Sequence, residues 1–390
     1  MELWFWLLIA LVFYTYLGYG LVLFILVRIK RIIKKPWQPS GKYEPAVTLV
    51  IPAYNEEDYI TEKAQNSLQL NYPKDKLRIL FITDGSTDST AEILQGIEGV
   101  EVTHNDRRAG KSAAENRAMT LVKTPVIVFC DANTMLNPNA IKNLVRYYEN
   151  EKVGGVSGEK RVLTNASDTA SAAGEGLYWK YESTLKKWDS ELYTIVGAAG
   201  ELISFRSSLV QDLEEDTILD DFMQSLRICE KGYRVMYEPE AYAAETGSAN
   251  VKEELKRKVR IAAGGWQSMS RLIGLLNPFK NPVLTFQYVS HRVLRWSISA
   301  FALPVIFVLN LVLAGQGEFY LLLFYAQCAF YGLALLGWFL ENRAIRLKVL
   351  FVPYYFLMMN YAVFAGIFRW LKGSQKSTWE RAQRQKNKNG

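Results

Sequence analysis

The chain contains 390 residues, of which 49% are hydrophobic and 22% are charged. Its mean hydropathy of -0.02 exceeds that of a soluble domain with an ordinary polar surface, so part of the apolar content must lie outside a folded core. Three cysteines without a CxxC spacing and only two histidines disfavour a disulfide framework, a zinc site and a histidine-activated nucleophile.

Four apolar runs carry no Asp, Glu, Lys, Arg or His, and each reaches the roughly 20 residues that span a bilayer core. They cover residues 3–27, 296–315, 319–340 and 349–368. The first run is too long for a signal-peptide core and lacks a small-residue cleavage site, which predicts a retained helix. One span before a cytoplasmic domain and three after it would place the basic tail outside. We therefore expect the last run, which contains Pro353 and Asn360, to be re-entrant or interfacial.

Basic residues are concentrated beside these apolar runs. The formal net charge is +7, yet residues 28–35 supply five basic side chains, and residues 369–390 supply seven against one glutamate. The rest of the chain is therefore net acidic, which disfavours nucleic-acid binding because that function needs a basic stripe on a folded domain. The charge distribution predicts a multi-pass protein of the cell membrane whose catalytic domain is cytoplasmic.

Between residues 45 and 250 the pattern is typical of an α/β domain. Apolar strand runs are Val47–Ile51, Leu77–Ile82, Val100–Val102 and Val126–Cys130, and helical stretches cover Glu56–Leu70, 89–96 and 111–122. Strands that alternate with helices predict a Rossmann-like, mostly parallel sheet that binds ligands at the carboxyl ends of its strands. The expected segments are 1–35 (transmembrane helix and basic collar), 45–250 (catalytic domain), 251–295 (amphipathic interfacial helices), 296–370 (transmembrane helices) and 371–390 (basic tail).

Polar motifs follow three of the predicted strands. They read PAYNEE (residues 52–57), TDGSTD (83–88) and CDANT (130–134). Each is compatible with a helix cap or turn, but three in succession favour one shared pocket. Asp131 and Asn133 project to the same side of an extended segment and suit a hard cation such as Mg²⁺ beside a diphosphate.

The segment RRAGKSAAEN (residues 107–116) is not a phosphate-binding P-loop, because Asn105 stands where that motif requires glycine. Arg108 and Lys111 either approach a diphosphate from a glycine-hinged turn or form a solvated basic start of a helix.

Together these motifs resemble the family 2 glycosyltransferases, inverting enzymes of the GT-A fold, and among them the membrane-embedded polysaccharide-synthase-like branch. The resemblance covers about residues 45–270. It implies a nucleotide-sugar donor whose nucleobase and ribose contact four residues of the first two motifs. These are Ala53, Tyr54, Glu56 and Asp84. RAGKSAAEN is similar to the RxGKxxAxN segment and would place Lys111 beside the diphosphate.

The same resemblance assigns the remaining site. CDANT stands in place of the DxD motif, so Asp131 and Asn133 would hold Mg²⁺ or Mn²⁺. VGAAGELISFR (residues 196–206) looks like the acceptor segment, with Gly197 and Gly200. ILDDF (residues 218–222) aligns Asp221 with the catalytic base. Its neighbour Asp220, assigned to the acceptor side, either raises the pKa of Asp221 by repulsion or caps the following helix.

The QxxRW motif of the family is altered to RKVRI (residues 257–261). Arg260 is kept and would pair with phosphate, but Arg257 replaces glutamine and Ile261 replaces tryptophan. Trp266 either stacks on an acceptor sugar in place of the missing tryptophan or anchors an interfacial helix. The motif therefore leaves both processive polymerisation and single addition open.

The sequence thus predicts a metal-dependent inverting glycosyltransferase. It would move a sugar from a nucleotide donor, first of all a UDP-sugar, to a lipid-linked sugar or growing glycan at the cytoplasmic membrane face. Two alternatives remain: a single-sugar transferase acting on a polyprenyl phosphate or another lipid, and a catalytically silent membrane subunit or glycan channel. No oligomeric state is predicted.

Overall fold

A computed structural model describes residues 1–163, 170–198, 200–246, 251–341, 343 and 348–375. Most of the predicted basic tail lies outside these described residues. The strands within them are β1 (Val47–Ala53), β2 (Leu77–Asp84), β3 (Glu101–Asn105), β4 (Val126–Cys130), β5 (Met135–Leu136), β6 (Val153–Leu163), β7 (Leu202–Arg206) and β8 (Arg234–Thr246).

The helices fall into a catalytic-domain group and an apolar group. Those of the domain are α3 (Ile60–Leu68), α4 (Thr90–Gln95), α5 (Lys111–Met119), α6 (Ala140–Val145), α7 (Ala170–Leu192), α8 (Asp220–Glu230) and α9 (Val251–Arg271). The others are α1 (Glu2–Phe13), α2 (Tyr19–Ile33), α10 (Pro282–Tyr288), α11 (Leu294–Trp296), α12 (Ile298–Leu313), α13 (Glu318–Glu341) and α14 (Lys348–Leu371). Single π-helical turns join α1 to α2 and α10 to α11.

One mixed sheet forms the centre of the catalytic domain, with strand order β3-β2-β1-β4-β7-β6-β8-β5. The four predicted strands pair in parallel, as expected. In the second half, β7 is antiparallel to both β4 and β6, β6 is parallel to β8, and β5 is antiparallel to β8. The predicted mostly parallel sheet is therefore corrected to a mixed one, because only four of the seven strand pairs in the described sheet are parallel.

Alternating strand residues fill two cores. In β1, Leu49 and Ile51 face the core that contains α3 and α6, whereas Val50 faces the core that contains α5 and α8. This alternation is the period-2 pattern of a sheet covered on both faces. Because both faces are covered, the polar residues that follow β1, β2 and β4 emerge at the strands' carboxyl ends.

The first helix of the domain begins later than predicted, at Ile60 instead of Glu56. Asn55 adopts a left-handed φ of 53°, which no helix can include. Its side-chain oxygen accepts the backbone N–H of Thr87 at 2.8 Å, and the Glu56 N–H donates to Thr90 Oγ1 at 2.8 Å. The first motif is therefore a loop tied to the second motif.

Two helices in the described parts of the chain are long and apolar enough to cross a membrane, Glu2–Ile33 and Glu318–Glu341. The pair Pro282–Trp296 and Ile298–Leu313, bent by 51°, makes a third if it counts as one span. The fourth apolar run forms α14, of 24 residues, which is not among these candidates in the described structure. Two or three of the four apolar runs thus form candidate spans, and the total number of spans stays a prediction.

Candidate active site

The loop between β3 and α5 is held by a buried carboxylate. Asp84 Oδ2 accepts the N–H groups of Ala109 at 3.0 Å and Gly110 at 2.7 Å, and Arg117 Nη1 lies 3.5 Å from Asp84 Oδ1. Gly110 has φ = 103°, a conformation that favours glycine. Asp84 therefore positions the start of α5, and its predicted contact with the donor stays a prediction.

Tyr54 of the first motif meets the same loop. The Arg108 guanidinium lies 3.7 Å from the centre of the Tyr54 ring, which is cation–π distance. Ala53 ends β1 and is buried, and Glu56 is almost fully buried in the turn that follows. The structure thus brings the predicted nucleobase and ribose residues to one edge of the sheet beside the RAGK loop.

Lys111 joins the DxD-like motif to the acidic pair of ILDDF. Its Nζ lies 2.9 Å from Asp131 Oδ1, 3.2 Å from Asp220 Oδ2 and 3.9 Å from Glu115 Oε1. Burial opposes the charged ammonium, but the charges of Asp131 and Asp220 hold the pKa of Lys111 well above its usual value. A fixed cation therefore lies between the predicted metal motif and the predicted base.

The pKa values of Asp220 and Asp221 are shifted in opposite directions. Burial opposes ionisation of Asp220, but Lys111 and a hydrogen bond from Glu115 hold the pKa of Asp220 below its usual value. Burial and the neighbouring Asp220 charge raise the pKa of Asp221 to about 7. Burial and Asp220 likewise raise the pKa of Glu115 well above the ordinary value of a glutamate, which favours its protonated form. A carboxylate with a pKa near neutrality is suited to general-base work.

Gly200 lies directly against this carboxylate. A Cβ at that position would be 3.1 Å from Asp221 Oδ2. Glu201, the next residue, pairs with Lys160 at 2.6 Å, and Lys160 also contacts Glu245. The predicted acceptor segment and the predicted base are therefore adjacent, whereas the acceptor itself stays a prediction.

Asn133 and Asp131 are the residues predicted to offer oxygens to a cation. Asn133 Oδ1 is buried and has no hydrogen-bond partner among the described residues, and the Asp131 side chain is 32% exposed. An unpartnered amide oxygen beside a carboxylate fits a hard divalent ion, which also takes oxygens from water and phosphate. No group of three His, Cys, Asp or Glu side chains forms a protein-only metal cage within the described ranges.

Arg260 and Trp266 lie on different faces of α9. Arg260 Nη2 donates to the Ile218 carbonyl at 3.3 Å, and Arg260 Nε is buried without a hydrogen-bond partner in the described structure. Trp266 stacks on Trp370 of α14, with ring centres 6.0 Å apart, and packs in an apolar cluster with Val363. Arg260 thus approaches the ILDDF loop, and the packing of Trp266 favours its role as an anchor over contact with a sugar.

Several residues of this neighbourhood escaped the sequence prediction. Glu115 is one of them, although it follows Lys111 by one helical turn within the recognised segment, a spacing that places both on one face. Lys160 and Glu201 carry no such local signal, because β6 and β7 pair only in the folded sheet.

The site combines two consecutive carboxylates, a bridging lysine and a carboxylate–amide pair at the ligand edge of an α/β sheet, the arrangement expected of a sugar transferase. Residues 48–213 match the family described as "Glycosyl transferase family 2". The chain is accordingly a glycosyltransferase, and its residues 48–213, somewhat less than half of its length, are similar to that family.

The named relatives are also glycosyltransferases or polysaccharide synthases. "Probable glycosyltransferase YdaM" from Bacillus subtilis (strain 168) is 26% identical over 293 residues, covering 70% of this chain and 69% of that protein. "Poly-beta-1,6-N-acetyl-D-glucosamine synthase" from Staphylococcus aureus (strain MSSA476) is 27% identical over 233 residues, covering 58% of this chain. The match spans only 56% of the staphylococcal protein's length.

Among solved structures, the mannosyltransferase PcManGT from Pyrobaculum calidifontis, determined in complex with GDP-Man and Mn²⁺, superimposes with a TM-score of 0.71. The identity is 24%, and the superposition covers 94% of this chain and 99% of that one. This likeness shows the fold, a mixed α/β GT-A arrangement that continues into the flanking helices.

Proposed function

We propose that this protein is a metal-dependent inverting glycosyltransferase that moves a sugar from a nucleotide-sugar donor to a lipid-linked or glycan acceptor at the cytoplasmic face of the membrane. Its role would be in polysaccharide or cell-surface glycan synthesis. The observation that carries this proposal is the position of Lys111, which lies between Asp131 and Asp220 while Asp221 faces Gly200.

In this mechanism Asp221 takes the proton of the acceptor hydroxyl as that oxygen attacks the anomeric carbon of the donor. The bond between the anomeric carbon and the diphosphate oxygen breaks, and its electron pair leaves with the diphosphate. Lys111 and Arg260 stabilise the departing negative charge. Mg²⁺ or Mn²⁺ held by Asp131 and Asn133 would supply further positive charge to the diphosphate.

The nucleotide of the donor is the part that relatives specify least. The structural neighbour was determined with GDP-Man, whereas the staphylococcal relatives are named as poly-N-acetylglucosamine synthases. A UDP-sugar remains the first donor to test, and GDP-mannose the second.

Single addition to a polyprenyl phosphate or another lipid is the second candidate. The packing of Trp266 on Trp370 favours it. Trp266 is the candidate replacement for the tryptophan that RKVRI lacks, and this packing uses its ring for contact with α14 instead of an acceptor chain. A catalytically silent subunit is disfavoured by the intact arrangement of Lys111, Asp131 and Asp221.

Purified full-length protein in lipid nanodiscs would be incubated with UDP-, GDP- and dTDP-sugars, a lipid-linked acceptor and Mn²⁺. We expect one donor to be consumed, and product length to separate polymerisation from single addition. Asp131→Ala should abolish donor-dependent Mn²⁺ binding. Asp106→Ala is the matched control and should keep this binding, because the Asp106 side chain is fully exposed. Failure to bind or consume any of the donors would refute the proposal.

A further inference from the structure

A buried ionic cluster lies next to the acceptor segment. Glu182 of α7 accepts Arg292 Nη2 at 2.9 Å and Arg295 Nη1 at 2.9 Å, and its Oε1 lies 3.3 Å from His291 Nε2. The Glu182 side chain is only 5% exposed. Burial opposes its ionisation, but the three basic neighbours hold the pKa of Glu182 well below its usual value, so the carboxylate is charged.

Arg292 connects this cluster to the backbone of the acceptor segment. Its Nε donates to the Val196 carbonyl at 2.7 Å while its Nη2 is held by Glu182. A planar guanidinium that bonds through two of its nitrogens fixes both distance and orientation. Arg295 shares the Glu182 carboxylate but makes no described hydrogen bond to the segment from Val196 to Ala198, which makes it a natural comparison.

Gly197 lets the backbone pass close to Arg292. Its φ is +151°, and a Cβ there would lie 2.5 Å from Arg292 Nη2. Three residues further along, Gly200 lies against the Asp221 carboxylate. Glu182 thus holds Arg292, Arg292 holds Val196 and Gly197, and the nearby Gly200 lies against the predicted base.

We infer that Arg292 is a positioning residue that, held by Glu182, fixes Val196 and Gly197 and thereby keeps Gly200 against Asp221, so that an acceptor hydroxyl can be placed there. This inference rests on the proposed function for its catalytic consequence. Arg292 contacts neither Lys111 nor the loop before α5 in the described contacts, so its removal acts on the acceptor side and spares the donor side.

The test compares Arg292→Met with Arg295→Met. The second variant also removes one positive charge and one ion pair with the Glu182 carboxylate, at its other oxygen. Loss of a charge-assisted hydrogen bond is worth about a tenfold change or more. We expect Arg292→Met to lower the transfer rate about tenfold or more and to leave nucleotide affinity within about twofold. Arg295→Met should keep transfer within about threefold of wild type.

Hydrogen exchange of the peptide covering residues 196–201 gives a readout that needs no substrate. Arg292→Met should accelerate its exchange, and Arg295→Met should not. Equal exchange and equal transfer in the two variants would overturn the inference, as would a loss of nucleotide affinity in Arg292→Met alone.

Gly197→Ala supplies a second variant in case Arg292→Met does not fold, because it keeps Arg292 and displaces it by contact. It should reproduce the slow transfer with intact nucleotide affinity, and wild-type transfer in Gly197→Ala would also count against the inference. If the wild-type protein transfers no sugar to any acceptor, the proposed function fails, whereas the exchange comparison still decides whether Arg292 orders the segment.

Discussion

Asp220 and Asp221 are consecutive carboxylates whose surroundings separate their chemistry. Lys111 and Glu115 stabilise the charge of Asp220, whereas Asp221 has the Asp220 charge beside it and a pKa of about 7. Pairs of acidic groups driven apart in this way mark acid and base roles in active sites. The motif predicts Asp221 as the base from sequence alone, whereas the contact of Asp220 with Lys111, from a helix distant in sequence, is visible only in the fold.

Asp221→Asn tests the base directly. The amide keeps the shape of the side chain but cannot take a proton, so we expect sugar transfer to fall by about 100- to 10,000-fold, the range general-base catalysis supplies. Nucleotide affinity should stay near wild type because Lys111 and Asp131 are untouched. Transfer would be followed with radiolabelled donor, with Asp106→Asn as the exposed control. Near-wild-type turnover in a folded Asp221→Asn protein would remove Asp221 from the mechanism.

The pH profile tests the environment of the same residue. Because the pKa of Asp221 is raised to about 7, its ionised form is lost as pH falls through that value, and the transfer rate should fall with it. Glu201 contributes to this raised pKa, so Glu201→Gln should move the half-maximal rate to lower pH. The exposed Glu240→Gln is the comparison and should leave the profile in place. A shift of the Glu201→Gln profile to higher pH would contradict the assignment.

At the scale of elements, apolar runs predicted the parallel half of the sheet correctly. The other half was missed because β6 reads as a loop: Gly154, Gly155 and Gly158 interrupt its sequence. In the sheet these glycines admit close neighbours, and a Cβ at Gly155 would lie 2.8 Å from the Phe205 ring. Glycine marks close approach inside a strand as readily as it marks a turn. Only the paired structure distinguishes the two.

The loop before α5 offers an element-scale prediction. Gly110 has φ = 103° and donates its N–H to Asp84, so Gly110→Ala strains the turn that carries Lys111. We expect a loss of about 1 kcal/mol in stability together with at least a several-fold loss of nucleotide affinity. Gly41→Ala is the matched control, since Gly41 also has positive φ (76°) and has nothing within 4 Å of an added Cβ.

Calorimetry or fluorescence titration with UDP and GDP would measure that affinity, and thermal unfolding would measure stability. Gly41→Ala should lose stability alone. Equal nucleotide affinities in the two variants would show that the geometry of this loop is not needed for binding.

Across the whole molecule, the first apolar helix is joined to the catalytic domain by polar contacts. Lys30 Nζ donates to the carbonyls of Glu191 at 2.7 Å and Leu192 at 2.8 Å, at the end of α7. Arg31 pairs with the Glu191 carboxylate at 2.6 Å. Cations at a helix C-terminus satisfy unpaired carbonyls there. The basic collar that indicated membrane orientation in the sequence therefore also docks the domain, a use that charge counting does not reveal.

The arrangement of α14 bears on the side of the membrane at which the described chain ends. Near its start, Tyr354 packs against Gly337, close to the end of α13. Near its end, Gly366 lies against Ala262 of α9, and Trp370 stacks on Trp266. The start of α14 thus contacts the end of the preceding candidate span, and its end contacts α9 of the catalytic domain. Because both contacts are expected on the same side of the membrane, they favour a helix lying along the interface.

From this packing we predict that Ser374 lies on the same side of the membrane as the catalytic domain. A cysteine would be introduced at position 374 in a chain whose half-buried Cys328 is changed to alanine and whose other two cysteines, Cys130 and Cys229, are buried. It would be treated with a membrane-impermeant maleimide in intact and opened cells. Cysteine at Asp106 reports the catalytic side, and cysteine at Gly317, between α12 and α13, reports the opposite side. Position 374 should label with the Asp106 pattern. Labelling with the Gly317 pattern would make α14 a span and restore the count of three spans after the catalytic domain.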